Sequence, residues 1–355
     1  MLKKIFDKNH RTRTISYLMV IGAYLILEVF MKTGNLSSMV KNMLVPLCCF
    51  ITTAIALNLV VGISGELSLG HAGFMSVGAF TAIVVSGYLA KTVTVAPLRL
   101  AIAMAAGALT ATLVGYLISI PVLKLEGDYL AIVTLAFCQI IKSLINNIYL
   151  GFDENGFQFS FIDDKVKLAK GGKALISGPL GATGTARIAS FTAGVILILI
   201  ALMISYNLIY SKKGRAIMAS RDNRIAARSV GINVTQMKTL TFTLSCALAG
   251  AAGALYALNY ATLTPAKFDY NQSILVLVYV VLGGLGNING TIVATTLLMM
   301  LPEMMRFLDR YRMLIYAVVL ILIMLASNNP LLKQKLQQFK TKLSEKKGAR
   351  NNAGE

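Results

Sequence analysis

The chain has 355 residues, of which 56% are hydrophobic and only 14% charged, and its mean hydropathy is +0.69. A soluble domain carries about a quarter charged residues, so this composition excludes one, and it equally excludes a disordered chain. The net charge of +19 would point to nucleic acid in a soluble protein. In a chain this apolar it reflects the bases that accumulate on cytoplasmic loops, and no nucleic-acid partner is expected.

A helix needs about 20 apolar residues to cross a bilayer. Apolar runs fall at about 15–31, 42–62, 67–90, 98–122, 129–150, 188–210, 238–261, 273–288, 291–308 and 313–327. The expected fold is therefore all-α, a polytopic transmembrane helical bundle of about ten membrane segments. The Gly-rich stretches 67–90 and 273–290 are the ones expected to be broken or re-entrant. No cleavable signal peptide is expected, because the first apolar run is about as long as a full span and no small-residue cleavage site follows it.

Charge sets the orientation. Residues 1–14, 211–238 and 328–355 hold 19 of the 34 bases and 4 of the 15 acids, and ten spans place all three on one side, the cytoplasm. The chain divides into a basic cytoplasmic N-terminus (1–14), a transmembrane permease domain (15–327) and a basic cytoplasmic tail (328–355). Within the domain, the longest polar loop (about 151–187) falls outside and a basic loop (about 211–238) inside. Arg306, Arg310 and Arg312 fit this map poorly, since their short turn should be external. The protein is expected in the cytoplasmic membrane of a bacterium, with both termini inside and lipid as its surroundings.

Small residues at four-residue spacing let helices approach closely in lipid. Ala103, Gly107, Ala111, Gly115 and Ser119 form one such row and Gly78, Ala82, Ser86 and Ala90 another, while Ala247–Ala254 is almost wholly small. These rows predict a tight bundle. Cys48, Cys49, Cys138 and Cys246 lie inside apolar runs without zinc or disulfide spacing and are read as packing residues. With His10 and His71 as the only histidines, no metal site and no cofactor are expected. Of the acids at membrane depth, Glu28 is placed near the outer interface and Glu303 one turn before Arg306.

Three stretches carry more information. The first is Gly62-Ile63-Ser64-Gly65-Glu66-Leu67-Ser68-Leu69-Gly70-His71-Ala72-Gly73-Phe74, where glycines and polar side chains meet between two apolar runs. It reads as a helix break lining a solute path, or as an ordinary turn followed by a packing face in which His71 is simply hydrogen-bonded. The second is Leu282-Gly283-Gly284-Leu285-Gly286-Asn287-Ile288-Asn289-Gly290. Its spacing fails the dinucleotide rule, no phosphate-binding P-loop occurs in the chain, and it reads as a tight inter-helix turn or a second discontinuous segment. The third is the basic loop Ser211–Ile232. Asp222 or Asn223 can cap a short helix that Gly231 ends, and this helix is either an unpartnered cytoplasmic loop or a dock for a cytosolic protein.

These stretches, together with Gly127-Asp128-Tyr129-Leu130-Ala131-Ile132-Val133-Thr134-Leu135-Ala136-Phe137 after Glu126, resemble the permease subunit of bacterial branched-chain amino-acid ABC importers, from about Leu44 to Pro330. The resemblance implies a pore shared with a sister permease as a heterodimer, two cytoplasmic ATPase subunits and an external solute-binding protein. It also implies that Arg221, Asp222, Asn223, Arg224, Ala226, Ala227, Gly231 and Ile232 form the coupling helix that enters an ATPase groove. The chain departs from the pattern at Arg224, where an acid is usual after Asp-Asn, and after Gly151, where Phe152-Asp153-Glu154-Asn155-Gly156 replaces a Gly-Gly-rich turn. For such an importer, neutral polar groups suit weak contact with a zwitterion, and Asn58, Ser68, His71 and Ser76 are the residues expected to border the translocation cavity.

The expected function is a non-enzymatic permease for branched-chain amino acids, powered by separate ATPases. A permease for urea or short amides is the near alternative. An ion-coupled secondary transporter would need more carboxylates at mid-membrane, and an intramembrane enzyme would need a His, Asp or Cys constellation that is not present.

Overall fold

A computed structural model of the chain describes residues 2–304 except 35–36, 91, 124, 126, 154–155 and 162–172, and beyond them residues 314, 317, 318, 321 and 325. Most of the expected span 313–327, the tail 328–355 and Arg306, Arg310 and Arg312 lie outside the described residues. Two compact units are distinguished, Met1–Thr296 and Leu297–Glu355, and the candidate site belongs to the first.

The helices run in the order α1 (Leu2–Lys32), α2 (Ser38–Asn58), α3 (His71–Leu89), α4 (Ala96–Val122), α5 (Asp128–Asn146), α6 (Phe191–Tyr210), α7 (Lys212–Asp222), α8 (Arg224–Ser229), α9 (Val234–Ala257), α10 (Tyr270–Gly283) and α11 (Ile288–Met304). Among the described residues seven are long and apolar enough to cross a membrane: α1 from Arg13, α2 with the π-turn that extends it to Ser64, α3, α4, α5 from Tyr129, α6 and α9. The protein is thus a polytopic helical membrane protein, with seven such spans among the described residues, where ten segments were read from hydropathy. The expected span 273–288 is the 14-residue α10 and 291–308 is α11, with 17 residues described. α10 falls short of the roughly 20 residues of a full crossing. α10 is short because an irregular segment delays its start to Tyr270 and Gly284, at φ +92, stops it.

The polar loop after α5 is not helical. Its described residues form β1 (Ile148–Asp153), β2 (Gly156–Phe161) and β3 (Lys173–Ser177), an antiparallel sheet in the order β2-β1-β3. β4 (Ala182–Thr183) then pairs with β5 (Thr262–Leu263) after α9. That pairing puts the α9–α10 connection at the same end of the bundle as the sheet. Alternating residues such as Phe157, Phe159 and Phe161 favour strand over helix.

α2 is the enclosed centre, with every residue from Leu44 to Ser64 buried. The small-residue rows do what their spacing predicts. Ala103, Gly107, Ala111, Gly115 and Ser119 are all buried on α4, while Leu109, Leu113 and Leu117 on its other face are exposed. Gly78, Ala82 and Ser86 are buried on α3, and Ala90 stands exposed just beyond its end. The four cysteines are free and buried. A methyl group at Gly107 would stand 2.7 Å from the Gly78 carbonyl oxygen and 3.1 Å from Ala254 Cβ. α3, α4 and α9 meet backbone to backbone there. Glu28 pairs with Lys32 at 3.7 Å near the end of α1.

Gly107→Val should therefore force α3 and α9 away from α4. The expected loss is about 1–3 kcal/mol, the usual cost of overpacking, read as a lowered unfolding midpoint of the purified protein in detergent. Leu109→Val, on the exposed face of the same helix, should change little.

Candidate functional site

The first informative stretch is a true helix break. α2 widens into a π-turn over Leu59–Ser64, and Gly65 ends it in the left-handed region at φ +75. Six residues then run without helix to His71. Widening and ending a helix strands backbone groups, which must find partners inside the protein. Three of the freed groups are met by three different elements. The Gly62 carbonyl accepts from Arg221 Nη1 of α7 at 2.8 Å. Leu69 N–H donates to Thr134 Oγ1 of α5 at 3.0 Å, and Ala72 N–H donates to Ser273 Oγ of α10 at 3.1 Å. Glu66, beside the left-handed glycine, forms a buried ion pair with Lys238 in the first turn of α9.

Asn58 brings the two Gly-rich stretches together. Its Nδ2 donates to Thr291 Oγ1 and its Oδ1 accepts from Gly286 N–H, both at 2.8 Å. The second stretch is a tight turn, with Asn287 N–H donating to the Gly284 carbonyl at 3.0 Å, and it closes directly on the break. A side chain at Gly62 would strike both the Asn58 amide and the Gly286 backbone.

The remaining candidate path residues are enclosed. His71 is 0% exposed. Its Nε2 lies 2.6 Å from Ser245 Oγ, and that hydroxyl donates its own hydrogen to the Ala56 carbonyl. Nε2 therefore carries the proton, and Nδ1 accepts from Ser68 Oγ at 3.3 Å. The neutral ring has both nitrogens used and stands edge-on to Phe74 and Phe242, which is the hydrogen-bonded structural role. Ser68 is equally buried. Ser76 differs, because its buried hydroxyl has no hydrogen-bond partner among the described residues.

The basic loop folds as two helices where one short helix was expected. Ser211 caps α7, accepting from Gly214 N–H at 3.0 Å, and α7 buries Ile217 and Ser220 against the bundle. Asn223, not Asp222, caps α8, accepting from Ile225 and Ala226 N–H at 3.1 and 3.0 Å. Gly231, at φ +84, closes it with Ile232 N–H on the Ala227 carbonyl and Gly231 N–H on the Arg228 carbonyl. That doubly bonded end fixes the helix rigidly. Ala227 is buried and Ala226 exposed. Arg221, still 38% exposed, reaches toward the break, with its Nε and Nη2 on Asp222 Oδ1 and its stem against Gly65. Sequence reasoning missed the two most telling residues. Ile225 and Val230 are 82% and 74% exposed, large apolar side chains held on a basic, polar loop. Their only signal was being apolar in a basic stretch. Among the described residues no group of His, Cys, Asp and Glu could hold a metal ion.

Residues 39–324 match the family described as branched-chain amino acid transport system / permease component. The chain is 34% identical over 310 residues to the high-affinity branched-chain amino acid transport system permease protein LivM of Salmonella typhimurium, covering 84% of this chain and 71% of that one. It is 33% identical over 309 residues to LivM of Escherichia coli K12, with the same coverage. No solved structure matches it.

The Lys238–Glu66 pair gives a direct test of the break. Lys238 stands in sequence with the basic loop, yet its side chain is 4% exposed and that of Glu66 12%. Lys238→Met leaves a buried carboxylate unpaired and should cost about 3–5 kcal/mol. Adding Glu66→Gln removes the charge and should restore most of that loss. Denaturation of the single and double variants in detergent measures both.

Proposed function

Because the chain belongs to the family of branched-chain amino acid transport-system permease components, and is therefore a transport subunit and not an enzyme, we propose that it conducts branched-chain amino acids into the cytoplasm as one permease of an ATP-binding-cassette importer. A sister permease completes the pore, two cytoplasmic ATPases drive it, and an external binding protein delivers the solute. Both termini and the α7–α8 loop face the cytoplasm of a bacterial cell, and the sheet after α5 faces outward.

The observation that carries this reading is the pair Ile225 and Val230 on α8. Burying each against a partner contributes about 1.5–3 kcal/mol, and a rigidly capped helix loses little entropy on docking. Asn223 and Gly231 set the shape of the helix, and Ala226 allows close approach. Ala227 and Ile232 hold it to the bundle, while Asp222 and Arg224 present charge beside it. Arg221 acts differently, carrying displacement of α8 to the Gly62 carbonyl. Asn58, Ser68, His71 and Ser76 border the solute route by fixing the geometry of the break, with the unpartnered Ser76 hydroxyl as the group free to meet a solute.

Ile225→Asp and Val230→Asp should each weaken association with the ATPase at least tenfold, since docking would desolvate an unpaired charge. Arg221→Ala should leave association intact and lower the solute carried per ATP hydrolysed. Unchanged association in the two aspartate variants would return α8 to an unpartnered loop. The orientation has its own check. Cysteine at Ala186 should react with an impermeant maleimide added outside intact cells, and cysteine at Ser229 should not.

A further inference from the structure

A second polar cluster lies away from the break. After β5 the chain turns back into the bundle. Phe268 is 1% exposed and packs against Phe80 and Tyr256 at 6.4 and 5.9 Å between ring centroids, with its carbonyl 4.0 Å from Cys138 Sγ of α5. Cys138 is about 12 Å from the end of α5 at 1.5 Å per residue. α10 therefore begins well below the end of α5 that leads into the sheet. At that start stands Asp269. Its Oδ1 accepts from Gln139 Nε2 at 3.1 Å and Lys142 Nζ at 2.9 Å, so the carboxylate lies between two successive turns of α5.

The Lys142 and Asp269 side chains keep 23% and 28% of their surface exposed. Lys142 is about 6 Å from the end of α5, and an ion pair there avoids hydrocarbon, so it opens on a polar route, on protein or on the water at the membrane interface. On α10 beside the pair, Tyr270 and Ile274 are 42% and 39% exposed. Both signs of charge beside an apolar surface match an amino acid with an apolar side chain.

We propose that Lys142, Asp269 and Gln139 form a zwitterion site on the solute route, Asp269 receiving the α-ammonium and Lys142 the α-carboxylate, with the solute's side chain over Tyr270 and Ile274. The proposal rests on the reading of the chain as an amino-acid permease. A pair of opposite charges suits passage better than a lone charge. When the solute leaves, Lys142 and Asp269 satisfy each other, so release strands no buried charge and the solute is held weakly.

The test uses the full complex in vesicles. Leucine uptake by the unaltered complex examines the branched-chain reading alone. For the site, Ile274→Cys is labelled with a small maleimide. Leucine at millimolar concentration should slow labelling at least threefold, while isoamylamine and 4-methylpentanoate, each one charge short, should not. Equal rates with and without leucine in a leucine-importing complex overturn the site. Lys142→Gln and Asp269→Asn should each lower uptake at least tenfold with assembly retained, and exchanging the two residues (K142D with D269K) should keep assembly without restoring uptake. Normal uptake in both single variants, or full recovery on exchange, makes the pair a mere tether and overturns the proposal. If the single variants fail to assemble, the labelling decides. If the unaltered complex imports no leucine, the branched-chain reading fails, and protection by alanine and glutamine decides the site by itself.

Discussion

The rest of the structure depends on one constraint: a chain that breaks its helix inside an apolar bundle must still pair every backbone group it frees. In water the π-turn at Leu59–Ser64 and the extended residues after it would be solvated at little cost. Inside the protein each unpaired group costs several kcal/mol. The partners come from α5, α7 and α10 in turn, through Thr134, Arg221 and Ser273. Because each partner sits on a different element, the break is the point at which those elements are held in register. The strength of the individual contacts also matters. A charge-assisted bond such as Arg221 to the Gly62 carbonyl is worth about 1.5–3 kcal/mol. That is firm enough to transmit a displacement and weak enough to be exchanged during a transport cycle.

The same constraint explains why the most polar candidates are also the most enclosed. His71, Ser68 and Ser245 form a closed chain of hydrogen bonds ending on the Ala56 carbonyl. A half-satisfied network at this position would be worse than an apolar one, so the residues that make the break possible have no capacity left for a solute. Groups that meet a solute must keep capacity in reserve. Among the described residues, the Ser76 hydroxyl, without a hydrogen-bond partner, and the half-open Lys142–Asp269 pair are two arrangements that do so.

How much of this is legible in the sequence follows from the range of each interaction. The spans are legible because bilayer thickness writes itself into apolar run length. The caps of α8 are legible because Asn223 and Gly231 act within a few residues, and the small-residue rows because a helix repeats locally. The sheet after α5 escapes a sequence reading because its strands are short and sit in a stretch that is polar and close to neutral. Lys238 looks like a loop base because its partner Glu66 is 172 residues away, and the Lys142–Asp269 contact spans 127 residues. Exposure is invisible too. Nothing in the spacing of Ile225 and Val230 says that both face outward, since that depends on α7 packing Ile217 inward and turning α8 away from the bundle.

α10 ties these observations together. At its start Asp269 holds Lys142 and Gln139. One turn on, Ser273 accepts from the first turn of α3. At its end the tight turn delivers Gly286 to Asn58 beside Gly62, and the Gly62 carbonyl is held by Arg221 at the root of α8. A helix of 14 residues is about 21 Å long and too stiff to absorb a shift along its axis. Its brevity, which disqualifies it as a full span, is what allows it to start inside the bundle at the ion pair and finish at the break. One unbroken run of hydrogen bonds and rigid backbone thus connects α8 with the Lys142–Asp269 pair, and α10 is the member of that run that cannot bend.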